Sequence, residues 1–291
     1  MINNCLVSVI IPCYNSSGTI ERSLSSVVKQ SYQYLEIIVV DDASIDFNET
    51  REIVYSFRDP RIIFLQHEVN KNGSAARNTG MSAAKGNYIA LLDSDDFWFE
   101  DHIRSYIDDI NKNRREGNYL YYCKCKINGV WNNYTLPFRA KLENESVSDY
   151  LFRNNGFICT DAMFFPAQLF NLVAFNEKLP RHQDYDFVLK LEEKKIPFYF
   201  SSHQGVEVFW RNNDIKKKGG GWKYSLEWGQ SNKNYFTKSA FSAFILKYVV
   251  WHMLREGKRF KAARLLVRFC LSRSIAPQAW YNTLKLFVLK R

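Results

Sequence analysis

The chain has 291 residues, 46% of them hydrophobic and 16% aromatic, which suits one large domain with an appendage or two domains. Its formal net charge of +10 is concentrated in residues 237–291, which hold twelve Lys or Arg and one acid, Glu256. The charge therefore indicates a partner for the C-terminal tail and argues against a generally basic protein.

The first 113 residues alternate between apolar runs and helical patterns. Buried strands are predicted at 6–11, 35–40, 61–66 and 87–92. Helices are predicted at 17–31, 46–58, 74–85 and 100–113. This alternation predicts an α/β fold with a mostly parallel central sheet, right-handed crossovers and helices on its faces.

Beyond residue 113 the pattern is less regular. Short strands are predicted at 119–127, 162–166, 197–202 and 206–210. A helix that opens with carboxylates is predicted at 182–195, and two amphipathic helices with basic faces are predicted at 239–254 and 260–271. The chain is therefore expected to end in a basic helical appendage.

Three polar clusters come directly after predicted parallel strands. They are Pro12-Cys13-Tyr14-Asn15 after the first strand, Asp41-Asp42 after the second and Asp93-Ser94-Asp95-Asp96 after the fourth. In an open α/β sheet the carboxyl ends of such strands lie on one edge, where ligands bind. Folding does not require this convergence, so the clusters predict a binding site at that edge.

The acidic cluster needs a compensating partner, because three carboxylates in four positions repel one another. Asp93, Asp95 and Asp96 are oxygen ligands on a short loop, which suits Mg²⁺ or Mn²⁺ held together with phosphate oxygens. A solvated acidic turn, or a cap for the following helix, is the alternative for this cluster taken alone. The neighbouring polar clusters favour the metal site.

The sequence lacks the motifs that are typical of several other classes of protein. There is no G-x-G-x-x-G after the first strand, no P-loop and no serine nucleophile elbow. No zinc-finger or RNP pattern supports a nucleic-acid partner for the tail. The six cysteines have no regular framework and no signal peptide is recognisable, so we expect reduced thiols.

Four segments resemble family 2 glycosyltransferases, the inverting GT-A-fold family that builds bacterial polysaccharides. They are "VSVIIPCYN" (7–15), "IIVVDDAS" (37–44), "NKNGSAARNTGMSAAKGNYIALLDSDD" (70–96) and "NEKLPRHQDYDFVLKL" (176–191). Their order and spacing follow the family over residues 5 to about 210. The resemblance implies a catalytic domain at 1–225, with a nucleotide-binding half (1–113) and an acceptor half (114–225), followed by the basic helical region 226–291.

The resemblance implies a nucleotide-sugar site, with a UDP-sugar as the first choice. Pro12, Tyr14 and Asn15 match the segment that lines the base and ribose. A carboxylate of the pair Asp41-Asp42 would accept the N–H of a uracil-like base.

The phosphates and the metal are implied to lie beside the "ARN" and "DSDD" segments. Arg77 would hold phosphate or orient the carboxylates. Asp93 and Asp95 match the DxD motif around Ser94, one touching ribose or sugar and Asp95 the Mn²⁺ or Mg²⁺; the division of labour with Asp96 stays open.

Asp184 falls where the family has its catalytic base, which would remove the proton of the acceptor hydroxyl. The family's usual Glu-Asp pair reads Gln183-Asp184 here, so acceptor binding by Gln183 is expected to differ. His182 is a further candidate for acceptor contact. Asp186 is a less favoured base, because a carboxylate in the first turn of a helix is stabilised by the dipole alone.

A second departure concerns the region after the last predicted strand. Trp210-Arg211 is kept, and Arg211 is expected to contact phosphate. The His that many relatives carry a few residues later is absent, which leaves Asn213 as a guess for a third metal ligand.

The basic tail suggests where the acceptor is found. No uncharged 18-residue span is present, which disfavours a transmembrane helix. Basic amphipathic helices with Trp251, Trp280 and Phe287 fit attachment to the anionic cytoplasmic face of a membrane, where a lipid-linked saccharide acceptor would be found. The alternative is that these helices only cover the catalytic domain.

The expected function is inverting transfer of a sugar from a nucleotide diphosphate to a lipid-linked glycan in O-antigen, capsule or exopolysaccharide synthesis. A sugar-phosphate nucleotidyltransferase is one alternative, disfavoured because "PCYNSSGTI" has one glycine and no lysine. A non-catalytic membrane-associated scaffold on the same fold is the other.

Overall fold

The computed structural model describes residues 5–129, 132–210 and 221–270. The chain divides into two compact units. The first comprises residues 1–138 and 158–214, and the second comprises residues 139–157 and 215–291. The functional boundary expected at residue 225 stays a prediction.

The first unit begins with four parallel strands: β1 (Val7–Cys13), β2 (Leu35–Asp41), β3 (Ile62–Gln66) and β4 (Tyr88–Leu91). Their order in the sheet is β3-β2-β1-β4. Cys13 lies opposite Asp41 in the ladder and Ile10 lies opposite Leu91. β1, β2 and β4 are almost entirely apolar and buried, as expected for strands covered on both faces of a sheet, whereas the edge strand β3 is partly exposed. The loops after β1, β2 and β4 share one edge.

The helices of this unit are α1 (Ile20–Val28), α2 (Phe47–Ser56), α3 (Gly73–Ala83), α4 (His102–Asn113) and α5 (Gln183–Glu193). Gly80 allows α3 to pack closely on β1, because a Cβ at this position would lie 2.4 Å from Cγ2 of Ile10. The small residues of the "SAARNTGMSAAK" segment therefore serve packing of α3 onto the sheet. All the helices predicted before residue 200 are confirmed.

The sheet continues from β4 through β8 (Phe164–Pro166), β6 (Leu120–Asn128), β9 (Phe198–Phe209) and β5 (Phe97–Trp98), while β7 (Asn133–Leu136) pairs with β6. The β4–β8, β8–β6, β6–β7 and β9–β5 pairs are antiparallel and the β6–β9 pair is parallel. The α/β class is thus confirmed.

One predicted boundary is wrong. Two strands were expected at 197–202 and 206–210, but β9 is one continuous strand. The register with β6 shifts there, so that Cys123 pairs with Ser201 and Lys124 with Gln204. Such a bulge interrupts the alternation of apolar and polar residues. The sequence pattern therefore predicts a loop between two strands.

The second unit is helical. It contains a π-helix (Asp149–Arg153), α6 (Gly221–Ser231), a 3₁₀-helix (Lys233–Tyr235), α7 (Lys238–Phe244), a second π-helix (Ile245–Val250), α8 (Trp251–Arg255) and α9 (Arg259–Cys270). Phe152 stacks on Phe236 with ring centroids 5.2 Å apart, and Phe244 contacts both Phe152 and Trp228. The apolar face predicted for 239–254 therefore packs inside this unit.

Each helix in the part of the chain that the structure describes is too short or too polar to span a lipid bilayer. The five cysteines whose side chains the structure describes are free thiols: Cys5, Cys13, Cys123, Cys125 and Cys159.

Candidate active site

The loops after β1 and β2 are tied together by Asn15. Asn15 adopts a left-handed conformation with φ of 52°. Its backbone N–H donates to Oγ of Ser44 (2.9 Å), and its Oδ1 accepts from the N–H of Ile45 (2.9 Å). The neighbouring Tyr14 is half exposed, with 50% of its surface open, while Pro12 is half-buried. The structure thus presents an aromatic ring at the edge where the sequence predicts base binding.

Asp41 and Asp42 have different surroundings although both are buried. Oδ2 of Asp41 accepts from the N–H of Ser44 (3.0 Å), whereas its buried Oδ1 has no hydrogen-bond partner among the described residues. Asp42 accepts from the N–H groups of Lys71 (2.9 Å) and Asn72 (2.7 Å). Its Oδ1 also contacts Nδ1 of His67 (2.7 Å). Asp42 therefore holds the loop before α3, and Asp41 retains an unused acceptor.

The N-terminus of α3 is positioned by Asn72, whose Oδ1 accepts from the N–H groups of Ser74 (2.8 Å) and Ala75 (3.4 Å). Its Nδ2 donates to the carbonyl of Glu177 (2.6 Å), in the segment that leads to α5. An Asn N-cap satisfies donors that the helix itself cannot pair. Because α3 is fixed at its start, Arg77 is directed from its first turns towards the end of β4.

Arg77 links the strand-end loops to α5. Its buried guanidinium forms an ion pair with Asp93, and its Nη1 donates to Oε1 of Gln183 (3.3 Å). Burial alone would lower the pKa of Arg77, but the carboxylates of Asp93, Asp161 and Asp184 hold that pKa above its ordinary value. The guanidinium is therefore a permanent positive charge beside the acidic loop.

Three carboxylates converge at the end of β4. Asp93, Asp96 and Asp161 each bring an oxygen within 4.8 Å of the others. Oδ1 of Asp161 accepts from the N–H of Asp93 (2.6 Å), and Oδ1 of Asp96 accepts from the N–H of Phe209 (2.8 Å). Backbone groups thus position two of the three carboxylates.

The charge of this cluster is not balanced by protein groups alone. Burial and the neighbouring carboxylates raise the pKa of Asp96 to about 10. The same two causes raise the pKa of Asp161 to about 6. Carboxylates this close cannot all ionise without a counter-ion, and a divalent cation is the counter-ion that oxygen ligands favour. The cluster therefore fits a bound Mg²⁺ or Mn²⁺ held by Asp93, Asp96 and Asp161.

Asp95 lies outside this cluster. Its carbonyl accepts from the guanidinium of Arg22, which stacks on Phe209 with 3.7 Å between Cζ and the ring centroid. Its half-buried carboxylate is not among the three that converge. Ser94 is buried and its hydroxyl lies 2.7 Å from that of Ser16. Metal binding by Asp95 and sugar binding by Ser94 stay predictions.

Sequence reasoning missed Asp161. It lies in a 3₁₀-helix (Thr160–Ala162) directly before β8. Because β8 runs antiparallel to β4, its beginning lies at the edge where the parallel strands end. The polar clusters predicted from the sequence all follow strands, whereas Asp161 precedes one. The isolated acid immediately before the "AMFFP" strand was the available signal.

The predicted base lies at the N-terminus of α5. Asp184 is half-buried in the first turn of this helix. Gln183 donates to the carbonyl of Leu179 (2.7 Å) and connects Arg77 to the same turn. The buried His182 adopts a left-handed conformation with φ of 64° and stacks on Tyr185. Asp186 is buried, and its Oδ2 forms a salt bridge with Nζ of Lys190 (2.7 Å). This salt bridge gives Asp186 a structural role in α5.

The structure thus brings Arg77, Asp93, Asp161 and the first turn of α5 together, while roles for Asp184, Gln183 and His182 in catalysis or acceptor binding stay predictions. Arg211 and Asn213 lie outside the described residues.

Comparisons with known proteins show the family and the fold of the chain. The sequence profile described as "Glycosyl transferase family 2" matches residues 8–172. The chain is 29% identical over 272 residues to the amylovoran biosynthesis glycosyltransferase AmsB of Erwinia amylovora, covering 90% of this chain and 89% of AmsB. It is 39% identical over 136 residues to WfgD of Escherichia coli, covering 47% of this chain and 53% of WfgD. WfgD is named a UDP-Glc:α-D-GlcNAc-diphosphoundecaprenol β-1,3-glucosyltransferase.

Two solved structures share the fold. The crystal structure of Staphylococcus aureus TarS with UDP-GlcNAc superposes with a TM-score of 0.62 at 20% identity, covering 97% of this chain and 80% of TarS. The mannosyltransferase PcManGT of Pyrobaculum calidifontis, solved with GDP-Man and Mn²⁺, superposes with a TM-score of 0.60 at 16% identity, covering 98% of this chain and 81% of PcManGT. The GT-A fold is confirmed.

Proposed function

Because the chain belongs to glycosyl transferase family 2, we propose that it transfers a sugar from a nucleotide diphosphate, most favourably UDP, to a hydroxyl of a lipid-linked glycan, with inversion. The product would enter a bacterial surface polysaccharide. The observation that carries the proposal is the convergence of Arg77 and three carboxylates at the edge where Tyr14 is exposed. Family membership favours sugar transfer over the nucleotidyltransferase and scaffold alternatives.

The proposed donor site uses the loops after β1 and β2. Tyr14 offers a ring face for stacking a base, and the unused Oδ1 of Asp41 is an acceptor suited to the N–H of uracil. A UDP-sugar is preferred because WfgD is named for UDP-Glc and TarS was solved with UDP-GlcNAc.

The proposed metal site consists of Asp93, Asp96 and Asp161. A bound Mn²⁺ or Mg²⁺ would neutralise the diphosphate leaving group. The raised pKa values of Asp96 and Asp161 support the need for a cation, and PcManGT was solved with Mn²⁺. Arg77 would add a fixed positive charge on the side of α3, where it can also hold phosphate.

The proposed general base is Asp184. A carboxylate in the first turn of α5, close enough to Arg77 to raise its pKa, is positioned beside the same sheet edge. In an inverting transfer it would take the proton of the acceptor hydroxyl as that oxygen attacks the anomeric carbon from the face opposite the diphosphate. No covalent sugar–enzyme bond is needed.

The proposed acceptor is presented at an anionic membrane surface, which α9 of the second unit would contact. Phe260 is 95% exposed and Val267 is 63% exposed on this helix. Lys261, Arg264 and Arg268 are exposed beside them. Exposed apolar side chains among basic ones are typical of helices that lie in a lipid interface. Trp280 and Phe287 lie outside the described residues.

A donor screen tests the proposal. Purified protein is incubated with UDP-, GDP- and dTDP-sugars, Mn²⁺ and undecaprenyl-diphosphate-linked saccharides, and nucleotide release is measured. We expect release from a UDP-sugar that depends on both metal and acceptor. Absence of nucleotide binding in calorimetry, for all three nucleotides with and without metal, would refute the proposal.

A further inference from the structure

A second group of metal-ligating side chains lies in the first unit, and the proposed transfer reaction does not use it. His102 opens α4, Cys123 lies in β6 and His203 lies in β9. Nδ1 or Nε2 of each ring and Sγ of the cysteine lie within 4.8 Å of one another. His102 and Cys123 are buried, with 1% exposure each, and His203 is half-buried.

The spacing of these atoms fits a tetrahedral zinc site. Nδ1 of His102 lies 3.1 Å from Nε2 of His203 and 3.9 Å from Sγ of Cys123. With Zn–N bonds of about 2.0 Å and Zn–S bonds of about 2.3 Å, adjacent ligand atoms are roughly 3.3–3.6 Å apart. The observed distances lie on both sides of that range. Two imidazoles and a thiolate are ligands that zinc takes readily, whereas Mg²⁺ and Mn²⁺ prefer oxygen.

Gly205 keeps the space between the two rings open. A Cβ at this position would lie 2.0 Å from Nδ1 of His102 and 2.6 Å from Nε2 of His203. Any other residue would therefore fill the place where the two ligating nitrogens meet. The register shift of β6 against β9 falls at Cys123 and Lys124. Such a bulge re-aims the side chains next to it.

The group also opens to the surface. A cavity of about 280 Å³ is lined by both histidines together with Glu100, Asp101 and Gln204, among others. It offers a route of entry for a cation and room for a fourth ligand. On the buried side, Nε2 of His102 has no hydrogen-bond partner among the described residues. Coordination of a cation by Nδ1 would leave the ring proton on this nitrogen.

We infer that His102, Cys123 and His203 form a binding site for a zinc-class divalent cation, with a fourth ligand supplied from the cavity by water or a polar side chain. The cation would connect α4 to the β6–β9 pair. Since a metal that binds only the folded state stabilises it, the site would raise the resistance of the first unit to unfolding. It is separate in residues and in ligand chemistry from the carboxylate cluster.

An ordinary hydrogen bond between two imidazoles would also give the 3.1 Å distance, so the test must detect sulfur ligation. Full-length protein is stripped with a chelator and titrated with Co²⁺. We expect a near-ultraviolet thiolate-to-cobalt charge-transfer band that saturates at one equivalent and is abolished by Zn²⁺. Carboxylates do not produce this band, so it reports on Cys123 and not on Asp93, Asp96 or Asp161.

Matched variants assign the sulfur. Cys123→Ser should abolish the band, whereas Cys125→Ser, which removes another buried thiol of the same strand, should keep it. If Cys123→Ser fails to fold, as judged by circular dichroism, His203→Ala carries the test, since its ring is partly exposed. We expect it to weaken zinc binding at least ~10-fold. No band in the unmodified protein, or an equal band in Cys123→Ser, would overturn the assignment.

Discussion

The buried guanidinium of Arg77 forms an ion pair with the partly exposed Asp93, the first carboxylate after β4. Arg77 comes from α3 and also donates to Gln183, next to the predicted base in α5. The guanidinium of Arg77 therefore contacts both the donor half and the acceptor half of the proposed site. A substitution of Arg77 should therefore affect both the proposed metal-binding carboxylates and the first turn of α5.

Replacement of Arg77 by Gln should lower sugar transfer at least ~100-fold, because a fixed charge beside the diphosphate is lost. Asp93 would also be left without its partner, which we expect to cost about 2 kcal/mol of unfolding free energy, since the pair is only partly screened by solvent. Arg77→Lys should lower the rate of transfer and the free energy of unfolding by smaller amounts, because lysine keeps the charge but not the planar guanidinium. Steady-state kinetics and urea unfolding measure both effects. Arg51→Gln, on the exposed face of α2, is the control, and equal losses in both variants would contradict the role.

Replacement of Asp184 by Asn should lower turnover at least ~100-fold, because the acceptor hydroxyl loses its proton acceptor. UDP binding in calorimetry should be unchanged, since the residue is assigned to the acceptor side. Asp186→Asn is the matched control two residues later in the same helix. It loses the ion pair with Lys190, so it should unfold at a lower temperature and yet transfer sugar normally. Equal loss of nucleotide binding and transfer in Asp184→Asn would assign the residue to the donor site.

Replacement of Asp41 and replacement of Asp42 should affect different properties, the first UDP binding and the second stability. Asp41→Asn should weaken UDP binding about tenfold, roughly 1.4 kcal/mol, with little change in stability, because its unused Oδ1 is the proposed acceptor for the base. Asp42→Asn should cost about 2 kcal/mol of stability, because its oxygens accept from two backbone N–H groups and contact His67. Calorimetry with UDP and thermal unfolding test the pair. Weaker UDP binding in neither variant would remove Asp41 from the site.

The sequence predicted the strand ends well because the parallel strands are mostly apolar, and carboxylates mark the ends of β2 and β4. Asp41, Asp42 and Asp93 were found this way. Asp161 was not, because it precedes an antiparallel strand far along the chain and only the sheet order brings it to β4. The bulge in β9 interrupts the alternation of apolar and polar residues, so one strand was predicted as two. The convergence of Cys123 with two histidines was equally invisible, since these ligands come from three elements with no common motif.

The stability of the metal-free protein should fall as pH rises. The pKa of Asp96 is raised to about 10 in the folded state, well above its ordinary value. Between its ordinary pKa, about 3.9, and 10 the folded state binds more protons than the unfolded state, so rising pH destabilises it. Asp161, with a pKa raised to about 6, adds a slope only at the acid end. Thermal unfolding in EDTA should show this decline, and Mn²⁺ or Asp96→Asn should flatten it. A pH-independent melting temperature in EDTA would contradict the unbalanced charge.

Membrane contact by α9 should depend on its exposed face. The double change Phe260→Ser and Arg264→Glu should reduce binding to vesicles that contain anionic phospholipid, because it removes an apolar anchor and reverses one charge worth about 1 kcal/mol near such a surface. Lys112→Glu, an exposed reversal on α4 of the first unit, is the control for net charge. Vesicle sedimentation at low and high salt measures both variants. We expect the α9 variant to lose binding and the control to keep it, whereas equal reductions would mean that overall charge, and not this helix, holds the protein at the lipid surface.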